Sequence, residues 1–296
     1  MKAIKLFLLL GFSVLLSSCG GILSPFGFIA SEQKTLIITA FSVMLIVVIP
    51  VLVLTVVLAF KYRAGNNKNT YTPEWAHNVK LELFWWLIPI IIIVFLSILT
   101  WVTSHSLDPY KKLDSDKESI RIQVISLNWK WLFIYPDYGI ATINYIEVPV
   151  GTPIDFSLAS DAPMNSFWIP QIAGQIYTMK GMTTQLHILV DKEGKYKGVS
   201  SNYSGVGFEG MKFTLVGTSQ DEFDNWVDSV KGSSKILDQD TYDSLVLDSI
   251  NNPVELYVLG DNQIFKKAIK KYMNMPNDNH GKIIHNSTFG VKNSSN

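Results

Sequence analysis

Few side chains in this sequence are equipped for chemistry, and their spacing narrows the choice further. The single cysteine is Cys19, so everything after it lacks a thiolate nucleophile, a thiolate metal ligand and a disulfide. The histidines, His77, His105, His187, His280 and His285, form no i,i+4 pair and no ligand cluster, although the last two share one polar tail. His187 falls in a strand pattern and reads as a surface or core residue. No Ser-His-Asp or Cys-His grouping occurs, and there is no P-loop. Gly205-Val-Gly-Phe-Glu-Gly210 matches G-x-G-x-x-G, but a strand pattern follows it and no βαβ unit surrounds it, so the match is fortuitous. The stretch Gly198–Phe213, GVSSNYSGVGFEGMKF, is more telling. Its crowded turn residues have the outline of a loop that presents a ligand, yet it holds no Cys, no His and one thioether, Met211.

The elements that carry this loop start in lipid. The chain has 296 residues, 48% of them hydrophobic and only 17% charged, with a mean hydropathy of +0.21. Formal net charge is zero, so no global basic field recruits nucleic acid. Leu36–Phe60 and Leu83–Ser104 are uncharged runs of 25 and 22 residues. The first is about 37 Å long as a helix, more than the roughly 30 Å hydrocarbon core of a bilayer. The two runs predict a transmembrane hairpin over residues 36–106. Pro50 and Pro89 are tolerable there, because neighbouring helices satisfy freed carbonyls. Lys61, Arg63, Lys68 and Lys80 place the connecting loop in the cytoplasm, against Lys34 before the first span and Lys111 and Lys112 after the second. Both ends then lie in the periplasm. Trp75, Trp85, Trp86, Trp101 and Tyr110 flank the second span as an interfacial belt. Glu82 precedes Leu83 at the cytoplasmic mouth of that span, where it reads either as a functional ionisable group or as a snorkelling carboxylate favoured by the helix dipole.

Residues 1–18 read as a targeting segment, with Lys2 and Lys5 before the apolar Leu6–Leu16. Leu16-Ser17-Ser18-Cys19 resembles the lipobox of bacterial lipoproteins, which implies cleavage before Cys19 and diacylation of its thiol. An ordinary signal peptide with a chance cysteine is the alternative. Residues 19–35 form a periplasmic N-terminal segment. From residue 115 to 219 the pattern is that of a soluble β domain. Ile120–Val124, Ile154–Leu158, Leu186–Val190 and Met211–Val216 alternate or run apolar over strand lengths, separated by Pro/Gly/Asp clusters, as in a β-sandwich. Residues 220–273 read as a helical region, acidic at first and basic at Lys266, Lys267, Lys270 and Lys271. Residues 274–296 are rich in Asn and Ser and read as a disordered tail.

Three stretches of the β domain carry a family resemblance: Asn128-Trp129-Lys130-Trp131 with the aromatics that follow, Asp161-Ala-Pro-Met-Asn-Ser-Phe-Trp-Ile-Pro170, and the Gly198–Phe213 loop. Together with the hairpin they resemble subunit II of haem-copper respiratory oxidases from Cys19 to about Met273. The resemblance implies an α+β membrane protein, with an N-terminal two-helix transmembrane hairpin, a cupredoxin-like β-sandwich and a C-terminal helical extension. In members that oxidise cytochrome c, the sandwich binds a two-copper centre through H-S-x-x-x-P and C-x-E-x-C-x-x-x-H-x-x-M. Aligned with those motifs, the first His is Asn165, the loop Cys, Glu and Cys are Ser200, Asn202 and Ser204, the loop His is Phe208, and the Met is kept as Met211. Such copper needs thiolate and imidazole ligands, so the resemblance is to the quinol oxidase branch, and most to the proteobacterial cytochrome bo ubiquinol oxidases.

What that implies is a structural, non-redox subunit of an inner-membrane complex that passes electrons from ubiquinol to oxygen and pumps protons. It has no cofactor of its own; haems and copper belong to subunit I. Its partners are subunit I, further small membrane subunits and the bilayer, with neither nucleic acid nor cytochrome c among them. The resemblance also puts Glu82 near the entrance of a proton channel into subunit I, and leaves Trp129 a packing role where copper-bearing relatives have an electron-entry Trp. A menaquinol oxidase of the same layout, or a membrane-anchored binding or assembly lipoprotein, is the alternative.

Overall fold

A computed structural model describes residues 21–63, 77–113 and 117–273 of the chain. Cys19, Trp75 and the tail from 274 lie outside the described residues.

Helices α1 (Phe28–Lys61) and α2 (Val79–Ser106) contain the two uncharged runs and extend beyond them at both ends. At 34 and 28 residues they are about 51 and 42 Å long. Glu32 and Lys34 therefore belong to helical turns beyond the apolar run, where long polar side chains reach the interface. The most apolar window of each helix has none of its residues buried within the chain, as expected of surfaces made for lipid or for partner helices. Asn78 caps α2, its side chain accepting from the N–H groups of Lys80 and Leu81 at 3.1 and 3.2 Å.

The start of α1 is fixed to the β domain. Phe26 N–H donates to the Gln171 carbonyl at 2.8 Å, and Asp191 N–H donates to the Phe26 carbonyl at 3.0 Å. A Cβ on Gly27 would lie 2.7 Å from the Ile172 carbonyl oxygen and 2.9 Å from that of Leu189, so the close approach requires glycine.

The β domain comprises β1 (Ile120–Leu127), β2 (Lys130–Tyr135), β3 (Ile140–Ile143), β4 (Tyr145–Pro149), β5 (Pro153–Ser160), β6 (Asn165–Trp168), β7 (Ile176–Thr178), β8 (Thr184–Leu189), β9 (Gly194–Ser200) and β10 (Lys212–Thr218). There follow α3 (Gln220–Lys231), β11 (Ile236–Leu237), α4 (Gln239–Val246), β12 (Glu255–Leu259) and α5 (Ile264–Met273). One sheet has the order β11-β12-β3-β2-β1-β5-β8 and the other β4-β10-β9-β6-β7. The two-sheet sandwich expected from the strand patterns is present. Between its sheets Ile122, Val124, Trp131, Phe133, Phe156, Phe167 and Phe213 form the main core. Phe167 and Phe213 stack there at 4.9 Å between centroids, with Trp131 edge-on to Phe167 at 5.3 Å.

The region read as helical from 220 to 273 also contributes strands, and this corrects that expectation. β12 pairs antiparallel with β3 and β11 parallel with β12, so the larger sheet is extended by the C-terminal segment. The strand is short and bounded by Pro253 and Gly260, residues that end a helix as readily as they frame a strand. Tyr242, Ile264, Phe265 and Ala268 cover the outer face of the larger sheet over Ile125, Leu132, Ile134, Ala141, Ile143 and Tyr257. With both faces covered, every residue of β2 is buried, which explains its unbroken apolar run Trp-Leu-Phe-Ile-Tyr.

Candidate functional site

The loop between β9 and β10 and the start of β6 meet at one end of the sandwich. Antiparallel pairing of β6 with β9 sets Phe167 opposite Ser200 and carries Asn165 and Ser200 to the same end. There Ser200 Oγ lies 3.0 Å from Asn165 Oδ1 and 3.2 Å from the Asn202 carbonyl, sharing one proton between two acceptors. Asn165 Nδ2 donates to Ser126 Oγ and to the Pro163 carbonyl, both at 2.9 Å. Asn202 Nδ2 donates to the Met164 carbonyl at 2.9 Å, and Ser200 N–H to the Met211 carbonyl at 3.3 Å. Asn165 and Ser200 are buried, so these bonds satisfy groups that would otherwise be desolvated without a partner.

The other aligned positions have dispersed into packing. Met211 is 1% exposed and belongs to the core. Phe208 opens a short 3-10 turn, Phe208–Gly210, and sets its ring edge-on to Tyr203 at 5.5 Å. The Ser204 carbonyl accepts from Trp129 Nε1 at 3.1 Å, while its hydroxyl is buried without a partner among the described residues. The donor set at the two-copper position of the resemblance is thus two neutral amides, two hydroxyls and a core thioether. Thiolate and imidazole are what such copper requires, so the residues present do not fit it. Among the described residues, no group of three or more His, Cys, Asp or Glu could hold a metal ion.

Trp129 supports the loop from beneath. It sits in the two-residue turn between β1 and β2 with φ of 59°, a left-handed conformation that is unusual for a bulky residue. Its ring fills the space beside Gly205 and Gly207: a Cβ on Gly207 would come within 2.4 Å of the indole and 2.6 Å of Ile250. Ile250 belongs to a second loop, 247–254, clamped over the first. Lys130 Nζ donates to the Leu247 carbonyl at 3.1 Å and to Ser249 Oγ, Asn128 Nδ2 donates to Asp248, and Asn144 Nδ2 donates to the Asn252 carbonyl at 3.1 Å. Burial lowers the pKa of Lys130, against the opposing pull of Asp248 and Glu255.

Asp161 is the buried anion of this end. Its carboxylate accepts from Tyr242 Oη at 2.9 Å, from Lys271 Nζ at 2.9 and 3.1 Å, and from Tyr272 Oη. Burial, with Asp161 close by, raises both phenols above their ordinary value, so they remain donors. Sequence reasoning missed this cluster and the Lys130 clamp. The available signal was an acidic residue inside an otherwise apolar motif, and a lysine between two tryptophans.

Glu82 lies in the first turn of α2, with its carboxylate 2.5 Å from His77 Nδ1. It stands apart from the loop cluster, at the opposite end of α2 from the β domain.

Residues 231–275 match the family described as COX Aromatic Rich Motif, the segment that supplies Tyr242, Tyr257, Lys271 and Tyr272. A cytochrome bo(3) ubiquinol oxidase subunit 2 from Pseudomonas putida is 50% identical over 92% of this chain and 86% of its own length. The chain belongs to the ubiquinol oxidase subunit 2 family. Further members of it include the Pseudomonas aeruginosa cytochrome bo(3) ubiquinol oxidase subunit 2, 46% identical over 88% of this chain and 79% of its own, and the Acetobacter aceti ubiquinol oxidase subunit 2, 45% identical over 93% and 89%. Membership in this family and the two apolar helices make it an inner-membrane protein with a periplasmic domain.

Proposed function

We propose that this chain is the non-redox subunit II of a terminal oxidase that takes electrons from ubiquinol and reduces oxygen to water. The observation that carries the reading is the Ser200–Asn165 hydrogen bond, buried where an electron-accepting copper centre would need thiolate and imidazole. A neutral, hydrogen-bonded knot has no accessible electron level there. Electrons must then enter the complex elsewhere, from a donor within the membrane, and cytochrome c has no docking centre to reduce. Haem and copper are assigned to subunit I, against which the hairpin packs, together with further small membrane subunits. Cys19 carries the lipid anchor after removal of residues 1–18, which holds the N-terminus on the periplasmic side. Glu82, hydrogen-bonded to His77 at the cytoplasmic end of α2, is the proposed proton-entry residue. The relatives from Pseudomonas and Acetobacter named for ubiquinol support that headgroup over menaquinol.

Oxygen uptake by the purified complex with each donor tests the reading. Reduced ubiquinol should sustain turnover and reduced cytochrome c should not; oxidation of cytochrome c in place of quinol would overturn it.

A further inference from the structure

The two helices and the β domain border an open cleft of about 670 Å³ that neither the loop cluster nor Glu82 uses. It lies where α1 begins and α2 ends, and its size falls within the roughly 300–1,000 Å³ of small-ligand sites. Phe28, Ile29, Leu107 and Leu189 give it an apolar floor. That floor runs toward the exposed apolar surfaces of the two helices, which suit lipid or partner helices. Trp101 and Tyr110, 70% and 50% exposed, bracket the level of the cleft along α2 and beyond it, and such aromatics mark the headgroup layer of a bilayer. The rim carries both signs of charge. Lys111 and Lys112 stand on one segment, Asp108 precedes them, and Asp191 comes from the turn after β8. None of the salt bridges among the described residues engages Lys111, Lys112 or Asp108.

We propose that this cleft seats one phospholipid with an ammonium headgroup. The phosphodiester faces Lys111 and Lys112, the headgroup ammonium faces Asp108 and Asp191, and the acyl chains leave over Phe28, Ile29 and Leu107 along the helices. A basic rim alone would suit any anionic lipid. Carboxylates on the same rim pair with an ammonium, which the neutral glycerol headgroup of phosphatidylglycerol lacks, and this selects the ethanolamine type. The lipid would wedge the junction between hairpin and sandwich, the place where Gly27 packs without clearance on Ile172 and Leu189.

A diazirine side chain at Leu107, in the whole complex extracted into native-lipid discs, reads the occupant directly by intact mass of subunit II after photolysis. A phosphatidylethanolamine adduct is expected. Lys111→Ala with Lys112→Ala should lower its yield about tenfold or more, and Asp108→Asn with Asp191→Asn should shift the adduct toward phosphatidylglycerol. An adduct to another subunit or to the chain's own N-terminal segment, no adduct, or yields and lipid type unmoved by these surface substitutions would each overturn the proposal.

Discussion

Ser200 Oγ and Asn165 Oδ1 lie 3.0 Å apart at the buried end of β9 and β6, and Asn165 Nδ2 reaches Ser126 Oγ on β1 at 2.9 Å. A single amide therefore ties both sheets of the sandwich together. A neutral network can hold two buried strands in register when its polar atoms find partners.

Asn165→Ala should cost about 1–3 kcal/mol, because it leaves the Ser126 hydroxyl without its amide donor, takes one of two acceptors from the Ser200 hydroxyl and removes the stronger donor to the Pro163 carbonyl. Ser200→Ala should cost less, and the double variant less than the sum of the two, with a coupling of about 0.5–3 kcal/mol. Thermal unfolding of the complex measures both terms. Quinol turnover at a temperature where each variant stays folded should match the wild type; a selective loss of turnover would show that the network does more than hold the loop.

Trp129 joins that loop to the 247–254 clamp. Trp129→Phe removes the hydrogen bond to the Ser204 carbonyl and part of the cover on Gly207, and should cost about 1–2 kcal/mol. Trp129→Ala should cost about 3 kcal/mol. Hydrogen exchange of the 204–210 amides is the local readout: protection there should fall first, with the β1 and β2 amides still closed. Uniform loss across the sandwich would contradict a role confined to the loop.

Much of this architecture was legible in the sequence for simple reasons. An uncharged run as long as Leu36–Phe60 exceeds what a soluble core can cover and matches the thickness of a bilayer, and strands with one buried face alternate visibly. The spacing from Ser200 to Met211 matches that of the motif in the resemblance, so these positions could be aligned with it one by one. What escaped was polar and long-range. Lys130 reaches Leu247, Asn144 reaches Asn252, and Asp161 reaches Lys271, across separations of 117, 108 and 110 residues. Buried polar pairs leave no periodicity, so nothing local announces them. β12 was hidden because five residues between charged, helix-like segments carry too little pattern to outvote their surroundings.

Asp161 holds the C-terminal helix α5 in place. Asp161→Ala leaves two phenols and the Lys271 ammonium without their acceptor at a fully buried site. Lys271 is half-exposed and can turn to water, so the loss should be about 2–4 kcal/mol, toward the lower part of the range for broken buried pairs. Limited proteolysis should then cut between β12 and α5 while the remaining sandwich resists. Asp161→Asn, which keeps an acceptor for one phenol, should be intermediate. Equal protease resistance in all three proteins would show that α5 is held by its apolar contacts through Ile264 and Phe265 alone.

Glu82 is the one carboxylate in the first turn of α2, and His77 Nδ1 stands 2.5 Å from it. A carboxylate and an imidazole at hydrogen-bond distance can pass a proton between them; an amide at the same place keeps the hydrogen bond and cannot carry the proton. Glu82→Gln should therefore slow quinol-driven oxygen reduction by about tenfold, equivalent to about 1.4 kcal/mol of barrier. Asn78 capping and the fold of α2 are left intact, so the variant should assemble with normal haem content. Glu82→Asp keeps the titratable group on a shorter stem and should recover part of the rate. If Gln and Asp behave alike, the residue acts through packing at the helix start; if Gln turns over as fast as the wild type, protons enter by another route.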